Sequence, residues 1–220
     1  MLSTIGVPVI LGTAPALFWL VFFLLEDKKN PEPRPLIAGI FVVGALSALA
    51  AAVIQLIVQD ALFPAFFITD PSVFSLFIFA FIEEAIKFLA AYLIVSKNKC
   101  FDEPVDAMIY TITAGLGFAA LENTIFIASP TGIPFETMMF RFVGATLLHA
   151  LASGLVGFYW VRRRLFLGLF IATVLHLIFN ILILEFSATP FYASGILIFA
   201  SFFLFYDFDI LKAYGKRPCD

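Results

Sequence analysis

Apolar runs of roughly 20 residues, the length needed to cross a bilayer core, recur along the chain between short polar, Pro-bearing or Gly-bearing breaks. They predict helical spans at Ile5–Leu25, Leu36–Val58, Ser72–Val95, Pro104–Ala128, Met138–Val161, Leu165–Phe186 and Pro190–Tyr206. Gln59–Pro71 is apolar too, but Pro64 and Pro71 limit helix there, so it reads as an interfacial or re-entrant piece. The first run lacks a basic leader and exceeds the ~7–15 apolar residues of a signal peptide, so it reads as a retained span. With no internal repeat and no low-complexity linker, residues 1–220 read as a single transmembrane domain.

Lys and Arg sort the connections into two sets. Lys28, Lys29 and Arg34 lie in Glu26–Pro35, Lys97 and Lys99 in Ser96–Glu103, Arg162, Arg163 and Arg164 after the fifth span, and Lys212, Lys216 and Arg217 in the tail. The alternate connections, Gln59–Pro71, Ser129–Thr137 and the turn around Ser187–Thr189, hold none. The positive-inside rule then places the N-terminus outside and the C-terminus in the cytoplasm, which requires an odd number of spans. The expected fold class is an all-α polytopic bundle of about seven spans.

Composition agrees: 62% hydrophobic residues, 13% charged residues and a mean hydropathy of +1.05 lie outside soluble-domain usage. A net charge of −3 with scattered basic residues gives no nucleic-acid footprint, so the bilayer is the expected partner. Cys100 and Cys219 fall on the expected cytoplasmic side, where thiols stay reduced, so no disulfide is expected. Cys219 is followed by one residue, which excludes a prenylation box, and no Cys/His spacing reads as structural zinc.

Two basic residues, Lys87 and Arg141, fall inside spans instead of loops. Span three places Glu83, Glu84 and Lys87 near its midpoint, where each charge costs ~3 kcal/mol on the insertion scale. At i+4 and i+3, the Lys87 ammonium is expected to serve both carboxylates. In span four Gly115, Phe118 and Glu122 share a face, the glycine admitting a close neighbour. The only histidines lie in the next two spans: His149 with Ser153 one turn on, and His176 with Asn180 one turn on. Counted from the outer ends, Glu83 is about 11 residues deep, Glu122 about 6, His149 about 11, His176 about 10 and Asn180 about 6, a slab roughly 8 Å thick.

Each feature alone has a structural reading. A His–Asn or His–Ser pair at i, i+4 serves as interhelical glue, a Glu with an i+4 Lys as a neutralised packing pair, and Phe118 as core or lipid contact. Arg141 sits within about a turn of the outer face and can snorkel. Asp102, Glu103, Pro104 and Asp106 read as a helix start, with Pro in the first turn and acids at the positive dipole end. Conjunction at one depth on four consecutive helices favours a site.

These motifs resemble those of the PrsW-type intramembrane proteases, within the superfamily that includes the CAAX prenyl endopeptidases. The resemblance runs through Asp27–Pro35, Glu83-Glu84-Ala85-Ile86-Lys87, the stretch from Asp102 to Asn123 ending in Gly-Phe-Ala-Ala-Leu-Glu-Asn, Arg141 to His149, and His176 to Asn180. Relative to the CAAX branch, Lys87 stands one position closer than its usual Arg, and Glu122 replaces a His, which favours the PrsW branch. The resemblance implies that Glu83 and Glu84 carry catalysis with His149, His176 and Asn180, supported by Lys87, Glu122, Asn123 and Arg141. It also implies a bacterial cell membrane and a membrane-anchored, anti-sigma-factor-like substrate, and the slab's position nearer the outer face predicts a cut on the extracytoplasmic side.

As chemistry, the cluster suits peptide hydrolysis by water that Glu83 deprotonates, with His176 and Asn180 donating to the oxyanion and His149 orienting water or substrate. No cofactor is required on this reading. A metal-assisted route through Glu83, His149 and His176 holding a zinc-like divalent ion stays open. An ion- or proton-coupled transporter or channel is the chief rival, then a bis-histidine haem protein and a catalytically inactive scaffold.

Overall fold

The computed structural model describes residues 2–28, 30–68, 72–129, 144–185 and 191–213. Among them run seven long helices and no strand: α1 (Leu2–Leu24), α2 (Arg34–Ile57), α3 (Val73–Val95), α4 (Asp106–Ala128), α5 (Thr146–Val161), α6 (Leu165–Glu185) and α7 (Phe191–Ala213). Helices α1, α2, α4, α6 and α7 are each long and apolar enough to cross a membrane. Helix α5 is a 16-residue apolar helix, and α3 has the length, 23 residues, but carries Glu83, Glu84 and Lys87. The chain is therefore a helical membrane bundle, as its hydropathy pattern predicts. The first residues of the expected fifth span, 138–143, and with them Arg141, lie outside the described residues.

Helix α4 is the hub. Its apolar window is 61% buried, against 28% to 39% for the other four crossing helices, and α1, α2 and α5 all pack on it. Small side chains make this possible, since apolar chains gain little from leaving lipid and helix association depends on close van der Waals fit. A Cβ on Gly117 would lie 2.0 Å from the Phe41 carbonyl oxygen, so α2 and α4 touch backbone to backbone. Thr111 and Thr113 of α4 are buried, and their hydroxyls donate to the Ala107 and Ile109 carbonyls at 2.7 Å each, leaving no unmet donor.

This contact gives a direct test. Gly117→Ala is expected to destabilise the bundle by about 1–3 kcal/mol through overpacking. Gly39→Ala, where an added methyl meets nothing within 4 Å, is expected to be neutral or slightly stabilising. Thermal unfolding of both variants in detergent checks the pair.

Several boundaries differ from the sequence reading, and four of them have a visible local cause. Span two does not stop at Val58: a π-turn over Val58–Leu62 and a short helix at Phe63–Ala65 carry it on to Ala65. Pro64 is tolerated because it falls in the first turn of that last segment, where its missing N–H is not needed. Phe67, in the left-handed region at φ 55°, ends the run. Helix α7 continues past Tyr206 to Ala213 because Phe208 and Leu211 are buried and Lys212 reaches Glu26. Helix α4 starts at Asp106 instead of Pro104, and the Asp106 Oδ2 accepts the backbone N–H groups of Asp102 and Glu103 at 3.0 and 2.7 Å. Helix α3 starts one residue late, at Val73, because Ser72 is its N-cap. Ser72 and Ser75 close a reciprocal capping box, with bonds of 3.1 and 2.8 Å. Cys100 is a free thiol, and Cys219 lies outside the described residues.

Candidate active site

The four helices that carry the polar spots bring most of them together. Adjacent Glu83 and Glu84 diverge by about 100° around α3. Glu84 turns fully inward, where its Oε1 accepts from the Lys87 ammonium at 2.6 Å and meets His176 Nδ1 at 2.7 Å. Lys87 also reaches His149 Nδ1 at 2.9 Å, and His149 Nε2 meets Glu122 Oε2 at 2.8 Å. One chain of contacts thus runs from α6 through α3 and α5 to α4.

Burial makes that chain cooperative. Glu84 and Lys87 are each 1% exposed, His149 is 2% and His176 is 4%. Charges this deep persist only when paired and hydrogen-bonded, so every member depends on the next. Phe118, read from sequence as packing, is buried with its ring 5.4 Å from the Lys87 ammonium and 5.4 Å from the His149 ring. It dries one side of the network and adds a cation–π contact. Gly115 sets the α4–α5 spacing: a Cβ there would come 2.3 Å from Ser153 Oγ and 2.8 Å from the His149 carbonyl.

Glu83 stands apart. Spacing along the helix predicts that Lys87 serves both carboxylates, but Lys87 bonds Glu84 and His149, and Glu83 faces other groups. Its Oε1 accepts from Gln55 Nε2 at 3.0 Å, and its Oε2 is buried without a hydrogen bond, 3.8 Å from His176 Nε2. Gln55 also donates to the Phe79 carbonyl at 3.4 Å, so α2 fixes the Glu83 side chain against α3. Gln55 is absent from the sequence-derived set. The available signal was a lone amide in an otherwise apolar stretch of α2.

The remaining positions are less tightly joined. Asn123 is buried and donates to Thr146 Oγ1 at 2.9 Å, tying α4 to the start of α5 just before His149. Asn180 lies one turn beyond His176 on α6, half-buried, with no hydrogen bond to another described residue. Ser153 Oγ is buried and unbonded beside Gly115.

A donor set for a metal is present. Glu83, His149 and His176 each offer an atom, all within 4.8 Å of one another. Two of the three fit without rearrangement: Glu83 Oε2 is unbonded, and His176, with Nδ1 on Glu84, turns Nε2 toward it. That carboxylate–imidazole pairing is the usual support for a metal-binding histidine. His149 fits on exchanging its contact with Lys87 or Glu122. The described residues also place Asp27, Glu32 and Asp106 within the same distance of one another, at the basic-loop end.

Comparison with known proteins places the chain in a family. The profile of the family described as "PrsW family intramembrane metalloprotease" matches residues 32–206. Among curated relatives, "Protease PrsW" of Oceanobacillus iheyensis is 30% identical over 82% of this chain and 86% of its own length. Its namesake in Bacillus subtilis is 26% identical over 87% of this chain and 89% of its own. That of Geobacillus kaustophilus is 29% identical over 70% of this chain and 65% of its own. No solved structure matches. A match across most of the chain, on a helical membrane bundle that joins acids and imidazoles at its centre, shows that the chain belongs to the PrsW family of intramembrane metalloproteases.

Proposed function

We propose that this cluster hydrolyses a peptide bond of a membrane-anchored protein, with Glu83 activating the attacking water. The observation that carries the reading is the Glu83 Oε2: buried, unbonded and held by Gln55 so that it faces His176. A carboxylate oxygen that accepts no hydrogen bond is free to accept a proton. Water oxygen attacks the carbonyl carbon as Glu83 takes its proton. The same proton then passes to the leaving amine nitrogen as the C–N bond breaks. Asn180, unbonded among the described residues and one turn from His176, would donate to the oxyanion. His149 is fixed on both ring nitrogens by Lys87 and Glu122 and would orient the water or the substrate carbonyl, while Glu84 fixes His176.

A second reading rests on the donor set and on the family's description as metalloproteases. Glu83, His149 and His176 would hold a divalent ion such as zinc, and a bound ion of this kind lowers the pKa of water and polarises a carbonyl. Exhaustive chelation of the purified protein, followed by elemental analysis and assay on a reconstituted membrane-anchored substrate, separates the two. The first reading expects cleavage to survive in metal-free protein. Loss of cleavage that zinc restores at one ion per chain overturns it in favour of the second.

The side of entry follows from the same geometry. A cavity of about 550 Å³ lies between the far half of α2 and the start of α3, lined by residues including Ile54, Val58, Phe63, Ile78 and Ile82. Ile54 and Ile82 are the chain neighbours of Gln55 and Glu83, and the cavity lies at the end of the bundle away from the basic loops. Its lining suits an apolar peptide segment arriving from the extracytoplasmic half of a bacterial plasma membrane. An anti-sigma-factor-like protein, the substrate class implied by the family resemblance, has such a segment.

A further inference from the structure

A second cluster lies at the opposite end of the bundle, where the basic loops gather. Asp27 closes the turn after α1, Glu32 sits in the α1–α2 loop and Asp106 opens α4; one oxygen from each lies within 4.8 Å of the others. Asp27 is 6% exposed and Asp106 is fully buried. Asp27 Oδ2 and Asp106 Oδ1 are both buried with no hydrogen-bond partner. The other Asp106 oxygen is spent on the backbone N–H groups of Asp102 and Glu103, and the Tyr110 hydroxyl donates to Glu32. Among the described residues, the Lys212 ammonium acts on Asp27 but is hydrogen-bonded to Glu26, and Lys28 is exposed.

We propose that Asp27, Glu32 and Asp106 bind a hard divalent cation of the Mg²⁺ or Ca²⁺ class, which clamps the α1–α2 loop to the start of α4. Three carboxylates with no nitrogen or sulfur donor select oxygen-seeking ions. Two oxygens bound to one Ca²⁺ at ~2.3–2.6 Å stand at most about 5 Å apart, which the spacing meets. Two buried oxygens, Asp27 Oδ2 and Asp106 Oδ1, have no hydrogen-bond donor among the described residues and are open to a cation. Burial, opposed by the Tyr110 hydrogen bond and reinforced by Asp106 and Asp27, pushes Glu32 up to about 8, the mark of crowded acids whose repulsion a bound cation would relieve. The site is chemically separate from Glu83 and the histidines, which it neither touches nor supplies. Its role is to fix the hub helix α4 at the end where its packing begins.

The test uses purified full-length protein in detergent, stripped with EDTA and titrated separately with MgCl₂ and CaCl₂ at neutral pH while the unfolding midpoint is followed. A saturable rise is expected with at least one of the two, and the more effective ion identifies the class member. Asp27→Asn, which sacrifices no hydrogen bond of the fold, is expected to need on the order of ten-fold more cation for the same rise, and Glu32→Gln likewise. Glu83→Gln is expected to respond as the wild type does, so failure here is distinguishable from failure of the catalytic reading. No rise with either ion, or equal responses of wild type and Asp27→Asn, overturns the proposal. So does a protein that is stabilised only by lowering pH, which would mean that the acids hold protons instead.

Discussion

Glu83→Gln is expected to lower turnover of a membrane-anchored substrate by on the order of 10³-fold, the range for removing a general base, while the bundle stays folded. Glutamine keeps the shape and an acceptor for the Gln55 amide, so the α2–α3 contact at 3.0 Å survives. What it loses is the free carboxylate oxygen that faces His176. The loss should fall on kcat with KM little changed, because Glu83 acts on the attacking water and not on the substrate's remote segment. Circular dichroism and the unfolding midpoint report the fold, and quantitative cleavage in proteoliposomes reports the chemistry. Processing at the wild-type rate would remove Glu83 from the mechanism under either the metal-free or the metal-held reading.

Lys87→Met should have the largest effect on stability. The ammonium is 1% exposed and bridges Glu84 at 2.6 Å and His149 at 2.9 Å, so its removal strands a carboxylate in a dry interior. Breaking a buried pair by deleting one partner costs about 3–5 kcal/mol, mostly the cost of the uncompensated charge left behind. The double variant Lys87→Met with Glu84→Gln should recover most of that stability without recovering activity, since His176 has lost its carboxylate and His149 its ammonium partner. Denaturant titration of the two variants makes the comparison. A single variant as stable as the wild type would mean that the pair is not ionic.

Much of this was legible in the sequence, because polar residues in a hydrocarbon slab are few and costly enough to be counted one by one. Hydropathy gave the helices, and depth counting at a fixed rise per residue brought Glu83, Glu122, His149, His176 and Asn180 to one level, although Asn180 bonds to none of the others. What spacing along one helix cannot give is the choice among partners on other helices. Lys87 lies within one helical turn of both glutamates, and the arrival of His149 from α5 and Gln55 from α2 divided them. Gln55 gives a weaker signal because an amide in an apolar run is a smaller outlier than a charge. The run of α2 past Pro64 depended on a local π-turn, which leaves no hydropathy signal. Asp106 read as a dipole-end acid, whereas its burial against Asp27 and Glu32 arises from three segments folding together.

The transporter reading and the hydrolase reading share the same buried acids and imidazoles, and they part on the product. The decisive measurement is mass spectrometry of a membrane-anchored test substrate incubated in proteoliposomes with wild-type or Glu83→Gln protein, with ion flux recorded in parallel. Hydrolysis at this site gives two fragments whose masses sum to the substrate plus one water, cut on the side away from the basic loops, with the Glu83→Gln sample left intact. An intact substrate with the wild-type protein alongside a substrate-dependent current, or equal fragmentation by both proteins, would contradict it.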